Sequence, residues 1–234
     1  MQLEDLALSR RVRRAGLREE VYDALLELLI ENRIDEGSPL RVESVSRLLD
    51  VSPTPVREAL VQLESTGLVS YVANKGYSVA PRLTPEDIVE LMDARTVLET
   101  AAAARAATAA DDDAIATLRR LIEEQTAAAR AVESADEAEH TAAVRAYLRL
   151  DHAFHDTIFA ASGNMHLHAL AQRLDAQSQR ARQSFRYGVS DAQEALAEHA
   201  AIAVAIGAHD PVASETAMRE HLRGVLARSL ADAA

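Results

Sequence analysis

Apolar residues recur at helical spacing along most of this chain. Between Leu17 and Asn32 they fall at Val21, Ala24, Leu25, Leu28 and Leu29, the stepping of an amphipathic helix. Asp35-Glu36-Gly37-Ser38-Pro39 breaks that pattern, and a short helix from Glu43 to Leu49 is predicted next, with Val45, Leu48 and Leu49 inward. Asp50-Val51-Ser52 reads as a tight turn, and Ser52 suits an N-cap. Pro53 and Pro55 then fall in the first turn of a third helix, where a missing N–H costs least. That helix is expected to run to about Thr66, bury Val56, Ala59, Leu60 and Leu63, and end at a left-handed Gly67. Two β-type runs, Leu68–Val72 and Tyr77–Ala80, flank the turn Ala73-Asn74-Lys75-Gly76 and predict a hairpin.

From Thr84 onward the pattern changes to long helices without strands. Thr84 as N-cap, Pro85 at the first helical position and the acids Glu86 and Asp87 announce the first of them. About six segments are predicted, near 85–108, 111–132, 136–161, 164–187, 191–208 and 211–231. Their short connections imply an antiparallel all-α bundle. The expected fold is therefore mainly α: an N-terminal winged helix-turn-helix followed by that bundle. The expected division is a basic arm over 1–16, the winged unit over 17–80, a linker over 81–85 and the bundle over 86–234.

Composition agrees with a globular chain: 48% hydrophobic and 26% charged residues, only 3% aromatic, over 234 residues. The length suits two small domains. With no cysteine, disulfides, thiolate-bound zinc and thiol catalysis are excluded. The polar start is no signal peptide, and no apolar run is long enough to span a membrane, so a cytoplasmic location without a membrane partner is expected. The net charge of −12 looks wrong for a nucleic-acid binder, but it is unevenly spread. Residues 1–80 hold 10 Lys and Arg against 13 Asp and Glu, and every histidine lies after residue 139.

In a helix-turn-helix the third helix offers its N-terminal end to base edges. Thr54 and Arg57 lie there, Arg41 stands at the start of the second helix, and Asn74 and Lys75 form the wing tip. The run Arg10-Arg11-Val12-Arg13-Arg14 reads as a solvated arm that could lie near phosphates.

In the bundle, polar residues interrupt apolar stripes at a few positions. Asp151 and His155, four apart, share a face with Tyr147, Phe154 and Ile158, while His152 turns toward the surface. His199 lies in the row Leu196, Ile202, Ile206, and His221 lies beside Met218, Leu222 and Val225. Two readings stand. Each histidine is hydrogen-bonded in the core, or one divalent cation satisfies all four groups. Carboxylate and neutral imidazole suit zinc, nickel or a similar ion. Arg95 on the first bundle helix is either a partner for Glu99 at i+4 or a grip for a carboxylate ligand, with Arg145, Arg149, Arg180, Arg182 and Arg186 as further candidates. His166 and His168, after a helix start at Asn164, line the cavity or face water.

The runs Pro39–Val45, Val51–Leu60 and Leu63–Val69 closely resemble the DNA-binding domain of GntR-family transcription regulators. That resemblance implies operator contacts at Arg41, Ser52, Thr54, Arg57 and Gly76. Pro53 stands where the family usually has Arg, which puts one major-groove contact in doubt. Asp93-Ala94-Arg95 with Leu98-Glu99, Asp151–His155, Glu198-His199 and His221-Leu222 resemble the FCD domain of the FadR-like subfamily. In its metal-binding members the matching residues are ligands, which implies that Asp151, His155, His199 and His221 hold a divalent ion here. Arg95, Glu99 and Asn164 are then the expected effector contacts. The expected function is a homodimeric, non-enzymatic regulator, in the family most often a repressor, that binds double-stranded operator DNA under control of a small carboxylate. A metal-dependent hydrolase and a metal-free dimerisation domain are the alternatives.

Overall fold

The computed structural model describes residues 3–30, 33–81, 83–184 and 192–232. The chain divides into two compact units, one holding residues 1–82 with Gln179–Ser184, the other the remainder.

In the first unit α1 (Leu3–Ile30) buries Val21, Leu25 and Leu29 on one stripe. It begins well before the expected Leu17, so the basic run lies within α1 rather than in an arm ahead of it. Leu, Ala, Glu and Arg fill that stretch and favour helix even without an apolar stripe. Helix α2 (Val42–Leu49) ends at Asp50, whose φ of 52° is left-handed. Its inner face differs from expectation: Val45 and Ser46 are buried, whereas Leu48 is 70% exposed. Leu48 is turned about 60° from Val45, away from the side that Ser46 and Leu49 share.

Helix α3 (Pro53–Ser65) carries Val56, Ala59, Leu60 and Leu63 at complete burial. Ser52 occupies the N-cap position with extended backbone, but its side chain makes no capping hydrogen bond. Gly67 follows at φ +75°. Strands β1 (Val69–Val72) and β2 (Gly76–Val79) pair antiparallel, Val69 opposite Val79 and Val72 opposite Gly76. Left-handed Asn74 and Gly76 make the turn. The amides of Leu40 and Val79 bond to Tyr77 and Ser38 carbonyls, tying the segment before α2 to the hairpin edge.

The second unit contains α4 (Pro85–Ala109), α5 (Asp112–Ser134), α6 (Glu137–Ala161), the part of α7 (Met165–Ser184) that precedes Gln179, α8 (Ala192–Gly207) and α9 (Pro211–Asp232). Side chains cap α4, α5 and α9 at their starts. Thr84 and Asp87 form a reciprocal capping box on α4, Asp111 accepts from the Ala114 amide, and Asp210 accepts from Val212 and Ala213. Helix α4 packs on α6, α8 and α9, and its fully buried Ala102, Ala103, Ala106 and Ala107 permit close approach. Phe154, Ile158, Ile202, Ile206, Met218 and Leu222 complete this core. Among the described residues, no helix is long and apolar enough to cross a membrane.

Candidate metal centre and nucleic-acid surface

The apolar stripes of α6, α8 and α9 meet in the core of the second unit, and each carries its polar interruption inward. Asp151, His155, His199 and His221 are all buried, His199 completely. One ring nitrogen from each histidine lies within 4.8 Å of the others. Asp151 Oδ1 is 3.8 Å from His199 Nε2. The structure thus brings the three histidines together and sets Asp151 beside His199, outside the group of mutually close ligand atoms.

Two of the imidazoles are hydrogen-bonded from outside at Nδ1, and the third faces a carboxylate there without a hydrogen bond. His199 Nδ1 is 2.9 Å from Gln125 Oε1, an acceptor on α5, so His199 donates there and turns its Nε2 lone pair inward. Its ring also stacks on Phe154 at 4.2 Å between centroids. His221 Nδ1 donates to Glu198 Oε2 at 2.8 Å. His155 Nδ1 lies 2.7 Å from Glu99 Oε2. The partners of His199 and His221 thereby select one tautomer, the arrangement that raises ligand basicity in histidine metal sites.

The electrostatics follow the same plan. Burial holds His221 below the ordinary histidine range, so its neutral, ligating form is favoured. Burial alone would raise Glu198, yet hydrogen bonds from His221 and Arg228 pull its carboxyl down to about 2. Burial would likewise raise Glu99, but the Arg95 guanidinium and His155 outweigh it and keep that carboxyl ionised.

The donor set fits a divalent cation. His155 Nε2 is buried without a hydrogen-bond partner, and such an atom is costly unless something fills its lone pair. Three imidazoles and a carboxylate are donors that zinc and nickel accept; four of them close a tetrahedral site, and an ion of five or six coordinates keeps a position for a further ligand.

The other expected effector residues sit differently. Arg95 Nε donates to Glu99 Oε1 at 2.6 Å, and both side chains are buried. Asn164 caps α7, its Oδ1 accepting from the amides of His166 and Leu167. His168 contacts Asp156 Oδ1 and stacks on Phe159, while His166 and Arg149 are exposed. The side chains of Arg145, Arg180, Arg182 and Arg186, and Arg82 of the expected linker, lie outside the described residues. Gln125, Glu198 and Arg228 were not singled out as site residues from the sequence. Gln125 left a signal, being a lone polar residue in the α5 row Leu118, Leu121, Ala129.

In the first unit Arg41, Ser52, Thr54, Arg57, Asn74 and Lys75 are exposed, and Gly76 is half-buried in the hairpin turn. Pro53 is exposed in the first turn of α3, whereas Pro55 is buried beneath it.

Residues 17–79 match the family model for bacterial regulatory proteins of the gntR family, and residues 90–224 match the FCD domain. A probable D-xylose utilization operon transcriptional repressor of Paenarthrobacter nicotinovorans is 32% identical over 93 residues, which is 40% of this chain and 41% of that relative's length. The HTH-type transcriptional repressor RspR of Escherichia coli is 25% identical over 207 residues, covering 88% of this chain and 86% of the relative. The solved structure of E. coli McbR/YncC superposes with a TM-score of 0.75 at 20% identity, covering 92% of this chain and 97% of that one, a likeness of fold.

Proposed function

This chain belongs to the GntR family of bacterial regulatory proteins and carries an FCD domain, and from that premise we propose that it is a transcriptional repressor whose operator affinity is set by a small carboxylate bound at a divalent metal centre. The observation that carries the reading is the buried convergence of His155, His199 and His221, with His199 and His221 hydrogen-bonded at Nδ1 to Gln125 and Glu198 and His155 Nδ1 2.7 Å from Glu99 Oε2.

Asp151, His155, His199 and His221 would hold the ion, which when bound supplies a Lewis-acidic anchor for a carboxylate oxygen. The chain's own residues do the rest. Gln125, Glu99 and Glu198 orient the ligands. Arg95 donates Nε to Glu99 and Nη1 to Met92 Sδ at 3.6 Å, and its remaining N–H groups would serve the second carboxylate oxygen. On the DNA side, Arg57 and Thr54 at the α3 start would read base edges, and Arg41, Ser52, Asn74, Lys75 and Gly76 would set register on the backbone. One winged unit makes few base contacts, so a homodimer reading two half-sites is the working form.

Control of DNA binding is then a coupling free energy, typically about 1–3 kcal/mol, equal to the ligand's preference between two arrangements of the dimer. The test is a thermal-shift screen of small carboxylates against zinc- and nickel-loaded protein, followed by operator titration with each hit. A carboxylate that raises the melting temperature only with metal and shifts operator affinity is expected. Protein that takes up no metal, and melts identically with and without chelator, would overturn the proposal.

A further inference from the structure

Gly224 lies inside α9, where helix geometry gives no reason for glycine. The helix runs unbroken from Pro211 to Asp232, and Gly224 is absent from the positive-φ positions. A glycine at such a position weakens a helix relative to alanine. The space its side chain would fill is already taken. A Cβ at residue 224 would stand 2.7 Å from Arg228 Nη1 and 2.7 Å from Glu198 Oε1, both far inside van der Waals contact.

Those two atoms belong to one ion pair. Glu198 reaches across from α8 and receives Arg228 Nη1 on Oε1 and Nη2 on Oε2, each at 2.9 Å. The same Oε2 accepts from His221 Nδ1 at 2.8 Å. His221, Gly224 and Arg228 follow one another at i, i+3 and i+7, so they share a face of α9. The bare position between the other two is where the carboxylate and guanidinium meet.

We propose that Gly224 is a positioning residue for the metal centre: its lack of a side chain seats the Glu198–Arg228 pair against His221, which aims Nε2 of that histidine at the ion. The inference rests on the metal-binding reading above and extends it to a residue that touches no ligand atom. The atoms nearest a methyl at residue 224 are the far ends of two flexible side chains, Arg228 and Glu198. The pair is therefore displaced while α9 survives, and alanine is the better helix former. The two effects have opposite signs, lower metal affinity and unimpaired apo stability, a combination that general structural damage does not produce.

The experiment uses the full chain stripped by chelator. Zinc affinity is measured by competition with a chromophoric chelator, ligand geometry by visible absorption of the cobalt(II) form, and apo stability by thermal melting. Gly224→Ala is expected to bind zinc about 10- to 100-fold more weakly, the usual cost of losing an outer-shell partner. Its cobalt spectrum should change, and its apo melting temperature should equal or exceed that of the wild type. In a Glu198→Ala background the same substitution should have no further effect on affinity, because both act through one carboxylate. Wild-type zinc affinity in Gly224→Ala overturns the inference, as does additivity with Glu198→Ala or a lower apo melting temperature. A wild-type chain that binds neither zinc nor cobalt instead overturns the metal reading itself, which the variants are not needed to decide.

Discussion

Glu99 Oε2 lies 2.7 Å from His155 Nδ1, so the carboxylate that orients a candidate metal ligand is the one that engages Arg95 through its other oxygen. Of the two roles the sequence leaves open for Arg95, the structure shows the pair with Glu99 at i+4, which places Arg95 one residue removed from the histidine cluster.

That arrangement predicts a stability cost for Arg95→Ala. Arg95 is 9% exposed and Glu99 4%, so the substitution leaves a buried carboxylate without its cation. Breaking such a pair from one side costs about 3–5 kcal/mol. Urea denaturation of the metal-free protein should show a loss of that order, and Arg95→Ala with Glu99→Ala should lose less than the sum of the two singles. Equal stability of Arg95→Ala and wild type would mean that the pair contributes nothing to folding.

For the cluster itself, the expected result is a metal-dependent melting temperature that His199→Ala abolishes. Zinc at about 100 times its dissociation constant stabilises a folded binder by about 2.7 kcal/mol. Gln125→Leu should keep the bundle intact, since Gln125 is completely buried in an apolar row, yet weaken zinc about 10- to 100-fold by freeing His199 Nδ1. A Gln125→Leu protein with unaltered zinc affinity would show that His199 needs no outer partner.

Helix limits in the second unit were legible because their signals are local. Thr84-Pro85, Asp111 and Asp210-Pro211 announce helix starts in the sequence, and each supplies its capping bond in the structure. His199 and Asp151 were legible for a similar reason, as each interrupts a periodic stripe on its own helix. Glu198 and Gly224 were not. Their meaning comes from α8 packing against α9, which no periodicity on either helix records. The face of α2 was misread because one turn offers both Leu48 and Leu49, and only the tertiary contact chooses between them. The start of α1 was missed because propensity, without an apolar stripe, carries it through the basic run.

The capping box on α4 predicts a pH dependence. Asp87 accepts from the Thr84 amide and hydroxyl at 2.8 Å, and these bonds, the amide first, hold its carboxyl below the ordinary 3.8. The folded state therefore binds fewer protons than the unfolded state around that pH. The contribution of Asp87 is fully present above pH 3.8 and fades as pH falls through the lower folded value. The stability difference between wild type and Asp87→Ala should accordingly be constant near neutrality and shrink below pH 3.8. Thr84→Ala, which removes the reciprocal half, should cost about 1 kcal/mol at pH 7. A difference between wild type and Asp87→Ala that grows on acidification would contradict this account.

On the winged unit, two exposed cations should fail in different ways. Arg57 lies in the first turns of α3, where a bidentate arginine–guanine contact is worth about 1–3 kcal/mol of discrimination. Lys75, the single lysine of the chain, sits exposed at the hairpin turn, where on the proposed reading its charge would meet phosphate without reading sequence. Arg57→Ala should thus erase the preference for operator over scrambled duplex while leaving non-specific binding in place. Lys75→Ala should weaken both duplexes alike and reduce the slope of log affinity against log salt by about 1. Fluorescence anisotropy at several salt concentrations separates the two. Pro53→Arg adds a third arm, because residue 53 is exposed beside Thr54 and Arg57. An added cation there should raise operator affinity or change the preferred base at one position of each half-site. Were Arg57→Ala to keep full operator preference, α3 would not be the reading helix, and the assignment of Thr54 and residue 53 to base contacts would fall with it.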